Sequence, residues 1–280
     1  MQTSININGR LMDLSTPKVM GIINVTPDSF ACHCTNITEA EVLRHAARAL
    51  QEGADILDIG GCSTRPGSCA PDEEEEWRRV RLAVSAIRRE WPDAVLSVDT
   101  YRASVARRAV ETYGVNIVND ISGGELDPEM FATVAQLSVP YILTHTRGTP
   151  ATMQQQTDYA DLMSEVVGYL EERVDRLHRL GVADVIIDPG FGFAKTTEQN
   201  YELLRKLDYL KALDLPILVG VSRKSMITKV LDVAPAEALN GTTVLHTLAL
   251  AKGANILRVH DVKEARQVIT LYRALQKAPH

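Results

Sequence analysis

The chain has 280 residues, 30 of them basic and 36 acidic, for a net charge of −6. That balance suits a soluble protein and argues against a nucleic-acid surface, which needs a basic patch or stripe. No apolar run reaches the roughly 18 residues of a membrane helix, and the first nine residues are polar, unlike a signal peptide. A cytoplasmic protein with neither membrane nor nucleic-acid partners is therefore expected. In a reducing compartment its four cysteines, Cys32, Cys34, Cys62 and Cys69, read as thiols.

Residues 1–17 precede the first regular unit and predict an N-terminal extension, a hairpin over the bottom of the fold. From residue 18 on, short runs rich in Val, Ile and Leu predict strands at 18–26, 54–61, 94–100, 116–122, 141–146, 184–190, 216–222 and 254–261. Their near-continuous apolar character points to strands covered on both faces, as in parallel sheets. Helical stretches fall between them. Residues 38–51 open with Thr38-x-x-Glu41, a capping-box pattern. Residues 72–90 open with acidic Glu73, Glu74, Glu75 and Glu76, which suit the positive end of a helix dipole. The spacing predicts further helices at 101–113, 128–137, 158–180, 198–210, 235–252 and 262–277. Gly53, Gly114, Gly181 and Gly253 stand where such helices should stop.

Eight strand–helix units without a linker predict a single-domain α/β fold, a (β/α)8 TIM barrel spanning residues 18–280. A doubly wound open sheet is the competing architecture. It does not call for eight regular repeats, and its Gly-x-Gly-x-x-Gly after the first strand is absent. Side chains two apart share a strand face. Asn24 and Thr26 thus point together, as do Ser97 and Asp99, and Arg258 and His260. Ile23, Val25, Val98 and Val259 face the other way, towards helices.

Seven polar motifs sit at the C-terminal ends of these strands: Asn24-Val25-Thr26-Pro27-Asp28-Ser29-Phe30, Gly60-Gly61-Cys62-Ser63-Thr64-Arg65-Pro66-Gly67, Val98-Asp99-Thr100, Val118-Asn119-Asp120, Asp188-Pro189-Gly190-Phe191-Gly192-Phe193, Ser222-Arg223-Lys224-Ser225 and Arg258-Val259-His260-Asp261. In a barrel these ends form one pocket. Asp99, Asn119 and Asp188 suit a polar heterocycle, because a carboxylate accepts two bonds from a guanidine-like fork and an amide both donates and accepts. Thr64, Arg65, Arg258 and His260 suit phosphate. Taken singly, each is also readable as a helix cap, a surface ion pair or a structural histidine; together, beside Lys224, they point to a ligand. The chain has only four Phe, so Phe191 and Phe193 in one Gly-rich loop read as a wall for an aromatic substrate rather than as ordinary core.

In this order, from about residue 19 to 262, the motifs resemble those of the dihydropteroate synthases, folate-pathway transferases targeted by sulfonamides. The resemblance implies a (β/α)8 barrel that condenses 6-hydroxymethyl-7,8-dihydropterin diphosphate with p-aminobenzoate, giving 7,8-dihydropteroate and pyrophosphate by an SN1-like displacement. It implies that Asp99, Asn119, Asp188 and Lys224 hold the pterin. It implies that Asn24, Thr64, Arg65, Arg258 and His260 bind the diphosphate, with Asn24 also at a Mg²⁺ ion, and that Phe30, Pro66, Phe193, Ser222 and Lys224 surround p-aminobenzoate. Family members are commonly homodimers.

The sequence departs from the family pattern in three places. Phe30-Ala31-Cys32-His33-Cys34 replaces a usual Phe-Ser-Asp-Gly-Gly, so Cys32 takes an aspartate's position. Cys62 stands where Glu is frequent. Thr144-His145-Thr146 replaces Met-His-Met, turning one apolar group near the pterin into a hydroxyl. Cys32, His33, Cys34, Cys62 and Cys69 are also readable as a metal cluster, but their spacing matches no standard zinc motif and thiols are preferred. Two other functions stay open: a pterin-binding module of a corrinoid-linked methyltransferase, and a paralogue that binds pterin without turnover.

Overall fold

The computed structural model describes residues 2–26, 38–62 and 71–278. It opens with an antiparallel hairpin, β1 (Ser4–Ile7) and β2 (Arg10–Asp13). Eight strands then follow: β3 (Lys18–Asn24), β4 (Ile56–Gly60), β5 (Leu96–Asp99), β6 (Ile117–Asp120), β7 (Tyr141–Thr144), β8 (Val185–Asp188), β9 (Leu218–Val219) and β10 (Ile256–Val259). β3 to β8 pair in parallel in chain order, and β10 pairs in parallel with both β3 and β9. The ring closes between β8 and β9 through one parallel bridge, Ile187 to Ile217. This is the (β/α)8 barrel, not the open sheet.

The outer helices are α1 (Glu39–Gln51), α2 (Glu73–Glu90), α3 (Ala103–Tyr113), α4 (Met130–Leu137), α5 (Leu162–Arg179), α6 (Thr197–Arg205), α7 (Ser225–Leu231), α8 (Leu239–Lys252) and α9 (Val262–Lys277). The Thr38 capping box on α1 is formed in full. Two expected helices differ and one was not expected. Asp161 caps α5, so the helix starts four residues later than 158. The stretch 198–210 divides into α6 and a 3-10 helix, Leu207–Leu213. The short α7 was not expected, since its residues read as the tail of the Ser222-Arg223-Lys224-Ser225 motif.

Strand alternation builds two apolar layers. Met20, Ile56, Ile117, Ile142, Ile186, Leu218 and Ile256 fill the lower barrel interior, and Ile5, Ile7 and Leu14 of the hairpin segment plug it from below. Ile23, Val25, Val98 and Val259 belong to the outer shell between sheet and helices. Two residues further along the inward faces of β4, β5, β6 and β10, the apolar layer gives way to Asp58, Ser97, Asn119 and Arg258. The packed floor thus ends where the chemistry begins.

Candidate active site

The interior above this floor is polar and buried. Asp58 and Ser97 are fully buried, while Asp99, Asn119 and Asp188 retain 4%, 2% and 7% exposure. Arg258 lies among them: its Nε donates to Asp58 Oδ2 at 2.6 Å and its Nη2 to Asp99 Oδ2 at 2.5 Å. Asn119 Nδ2 donates to the same Asp58 oxygen at 3.1 Å. Asp188 Oδ1 accepts the Gly190 N–H at 2.8 Å. Burial pushes the Asp99 and Asp188 carboxyls up, opposed by Arg258 at the first and Lys224 at the second. Asp58 Oδ1, Ser97 Oγ, Asp99 Oδ1 and Thr144 Oγ1 are buried without a hydrogen-bond partner. Buried polar atoms are almost always paired, so this concentration marks a place where a polar ligand completes the set.

Around the mouth, the loop after β8 is pinned atom by atom. Lys224 Nζ donates to the Phe191 carbonyl and lies 4.8 Å from the Phe193 ring centroid. Gly192 N donates to Asn200 Oδ1 at 2.7 Å, and Gln154 Nε2 donates to the Gly192 carbonyl at 2.9 Å. Gly190 has φ +72°, and a β-carbon there would lie 1.9 Å from the His145 carbonyl oxygen, so only glycine fits. Burial lowers the Lys224 ammonium to about 8, with Asp188 pulling the other way. Phe193 is half-buried at the mouth, whereas Phe191 is fully buried in the outer shell. The expectation that both aromatics avoid the core is therefore corrected for Phe191: it lies in the turn beyond β8, after Gly190 at φ +72°, and packs into the outer apolar cluster.

Ser222 and His260 are joined across the ends of β9 and β10, the Ser222 Oγ accepting the His260 N–H at 3.2 Å. His260 is exposed at the rim. Between them Arg223, at φ +55°, makes a two-pronged ion pair to Asp261 at 2.8 and 2.7 Å, and both residues line the rim of the pocket. The cavity enclosed here measures about 930 Å³ and is lined by Asn24, Asp99, Phe193, Ser222, Lys224, Arg258 and His260 among others. Phe30, Thr64, Arg65, Pro66, Cys32, His33, Cys34 and Cys69 lie outside the described residues. Cys62 is buried, and burial pushes its thiol up to about 11, which leaves it unreactive.

Three features escaped sequence reasoning. Asp58 interrupts an otherwise apolar strand, Ile56-Leu57-Asp58-Ile59, and that interruption was the signal. Lys195, 3% exposed, has Nζ within 2.9 Å of His145 Nδ1 and donates to the Gly190 and Phe193 carbonyls at 3.0 and 3.1 Å. Glu76, fully buried on α2, accepts the Thr100 hydroxyl at 2.5 Å and pairs with Arg102, which in turn donates to the Pro71 carbonyl at 2.7 Å. This joins the strand end bearing Asp99 to the chain just beyond residue 70.

A single barrel mouth therefore combines carboxylates and an amide for a ring with cations at its edge. The sequence matches the pterin binding enzyme family over residues 20–260. It is 46% identical over 260 residues to a dihydropteroate synthase of Synechocystis sp., covering 92% of this chain and 89% of that one. The dihydropteroate synthase of Yersinia pestis, solved as a sulfonamide drug complex, is 39% identical with a TM-score of 0.93, covering 98% of this chain and 100% of that one. That of Xanthomonas albilineans, solved with 4-aminobenzoic acid, is 38% identical with a TM-score of 0.92 over 100% of both chains. The chain belongs to the pterin-binding enzymes and, within them, to the dihydropteroate synthases. The reading as a corrinoid-linked methyltransferase module is set aside.

Proposed function

We propose that the chain condenses 6-hydroxymethyl-7,8-dihydropterin diphosphate with p-aminobenzoate, and that the ring lies in the barrel mouth between Asp99, Asn119 and Asp188. The observation that carries this is the cluster of buried, unpartnered oxygens on the inward faces of β4, β5 and β7, closed over by Arg258 and Lys224. The C–O bond from the methylene to the diphosphate breaks, and its electron pair leaves with pyrophosphate. The electron-rich ring delocalises the cation left behind, which is why an SN1-like path fits. The aniline nitrogen then forms the C–N bond and loses a proton. Holding the two reactants together replaces a two-body encounter with a local step. Buried Asp99 and Asp188 suit a ring whose positive charge is developing. Arg258, His260 and Lys224 suit the departing anion and the benzoate, together with Thr64 and Arg65 by resemblance. Phe193, Ser222 and Lys224, with Phe30 and Pro66 by resemblance, form the amine's side of the site. No nucleophilic side chain is required.

The donor set also fits Mg²⁺, in a particular way. Among the described residues no group of three or more His, Cys, Asp or Glu side chains is placed to hold a metal. A β-carbon on Gly60 would meet Asn24 Oδ1 at 3.2 Å and Asp99 Oδ2 at 3.6 Å, so glycine keeps open a space faced by oxygens. Mg²⁺ typically keeps several waters and takes substrate phosphates with one or two protein oxygens. Asn24 would be such a ligand, and an ion held there would supply positive charge to the diphosphate.

We further propose a homodimer. Val230 and Leu231 on α7, Val244 and Leu248 on α8, and Leu271 and Leu275 on α9 are 49–72% exposed. α8 packs against both α7 and α9, and large exposed apolar side chains on adjoining helices suit a contact with a second copy. Regarding location, no described helix is long and apolar enough to cross a membrane; a cytoplasmic site remains the proposal.

Pyrophosphate release with and without p-aminobenzoate tests the reaction. Amine-dependent release is the expected result. Pterin binding without turnover would instead identify a non-catalytic paralogue.

A further inference from the structure

Thr144 is the last residue of β7. Ile142, two residues earlier, belongs to the inner apolar layer, whereas Tyr141 and Leu143 belong to the outer shell. Alternation therefore turns Thr144 into the barrel. It stands in register beside Asp188 of β8. It is 1% exposed, and its Oγ1 has no hydrogen-bond partner. Among the described residues, Thr242 and Thr243 donate their hydroxyls to the carbonyls four residues back, and Thr100 donates to Glu76. Thr144 differs from these three, and it sits beside a carboxylate proposed to hold the ring.

The chemistry of the neighbouring groups says what this hydroxyl supplies. The oxygens of Asp99 and Asp188 accept hydrogen bonds, and a carboxyl donates only when it holds its proton. Asn119 already gives one N–H to Asp58. Lys224 already gives one to the Phe191 carbonyl. The polar edge of a pterin carries acceptors, an exocyclic oxygen and ring nitrogens, next to its donors. A site built mainly of acceptors is short of donors for that edge, and a hydroxyl can donate or accept as required.

We infer that Thr144 is a specificity-determining residue for the pterin, its hydroxyl hydrogen-bonding the ring edge beside the part held by Asp188. The inference rests on the proposed reaction and deepens it: it adds a contact to the ring and none to p-aminobenzoate. The hydroxyl also discriminates against aromatic rings that lack a polar atom at that point, since such a ring would leave Oγ1 buried and unpaired.

The test uses the full-length chain with Thr144→Val, which keeps the shape and removes the hydroxyl, and Thr144→Ser, which keeps the hydroxyl. The probe is 6-hydroxymethylpterin, titrated calorimetrically. Thr144→Val weakens binding roughly tenfold, the scale of one unmet hydrogen bond, and Thr144→Ser stays within about threefold of wild type. The KM for p-aminobenzoate is unchanged in both. Wild-type pterin affinity in Thr144→Val overturns the inference, as does an equal loss for pterin and p-aminobenzoate. Should the valine variant not fold, Thr144→Ala against Thr144→Ser gives the same comparison. A wild-type chain that did not bind the pterin would overturn the functional reading itself, an outcome distinct from any difference between variants.

Discussion

Arg258 and Asp58, 200 residues apart in sequence, meet inside the barrel with Nε donating to Oδ2 at 2.6 Å. β10 and β4 are not adjacent strands; both flank β3, so the arginine reaches past a whole strand to find its carboxylate. The second arm of the guanidinium goes to Asp99. One cation thus ties a carboxylate with no assigned substrate contact to one proposed to hold the ring. Removing one partner of a buried charge pair leaves the other uncompensated. Asp58→Ala is expected to lower the free energy of unfolding by about 3 kcal/mol and to weaken pterin binding. Urea denaturation and pterin titration check both; a variant as stable as wild type would show that the pair contributes little.

Lys224 is proposed to supply the charge between ring and amine. Lys224→Ala is expected to reduce turnover by roughly ten- to a hundredfold, the scale of hydrogen bonds to a charged group, and steady-state kinetics with each substrate varied checks it. The pH dependence follows from its ammonium lying near 8. Below that pH the side chain is charged and competent; above it the charge is lost, so pterin engagement falls as pH rises through about 8. Stability moves the opposite way. The folded value lies below the unfolded 10.5, so the unfolded chain binds more protons between them and stability rises with pH across that window. Wild-type kinetics in Lys224→Ala would remove this residue from the site.

Two buried imidazoles act on the acid side. Burial holds His145 down at about 2, with Lys195 adding to it, and burial holds His246 at about 4. Below pH 6.5 the unfolded chain protonates these rings while the folded chain refuses, so stability falls as pH drops from there. His246 Nε2 has no hydrogen-bond partner. His246→Leu is expected to flatten part of that fall, gaining on wild type at pH 5 relative to pH 7; urea midpoints at the two pH values measure it.

Leu248 lies 49% exposed among the apolar side chains of α7, α8 and α9. If this face joins two copies, Leu248→Lys places a charge in the joint and converts the dimer to a monomer in sedimentation velocity. A wild-type chain that sediments as a monomer would contradict the assignment.

Much of this was legible from residue alternation. Asp99 was readable as inward because parallel strands keep a strict two-residue period, and Asn119 and Asp188 because they are polar groups at strand ends that face one pocket. Asp58 was not, since attention to strand ends passes over a charge in a strand's middle; only the three-dimensional closeness of β10 explains it. Arg258 was read as a phosphate ligand from its position at the end of the last strand; its ion pairs with Asp58 and Asp99 were not legible, because they form across a strand that lies between. Phe191 was misread because scarcity in composition says nothing about which way a loop side chain turns. The helix α7 was hidden because seven residues carry too little periodicity to separate it from the motif it continues.

The most direct test of the whole account is where the ring binds. A crystal of this chain grown with 6-hydroxymethylpterin should show the ring inside the barrel mouth, hydrogen-bonded to Asp99, Asn119 and Asp188. A ring bound outside the strand ends, with those three side chains untouched, would contradict it.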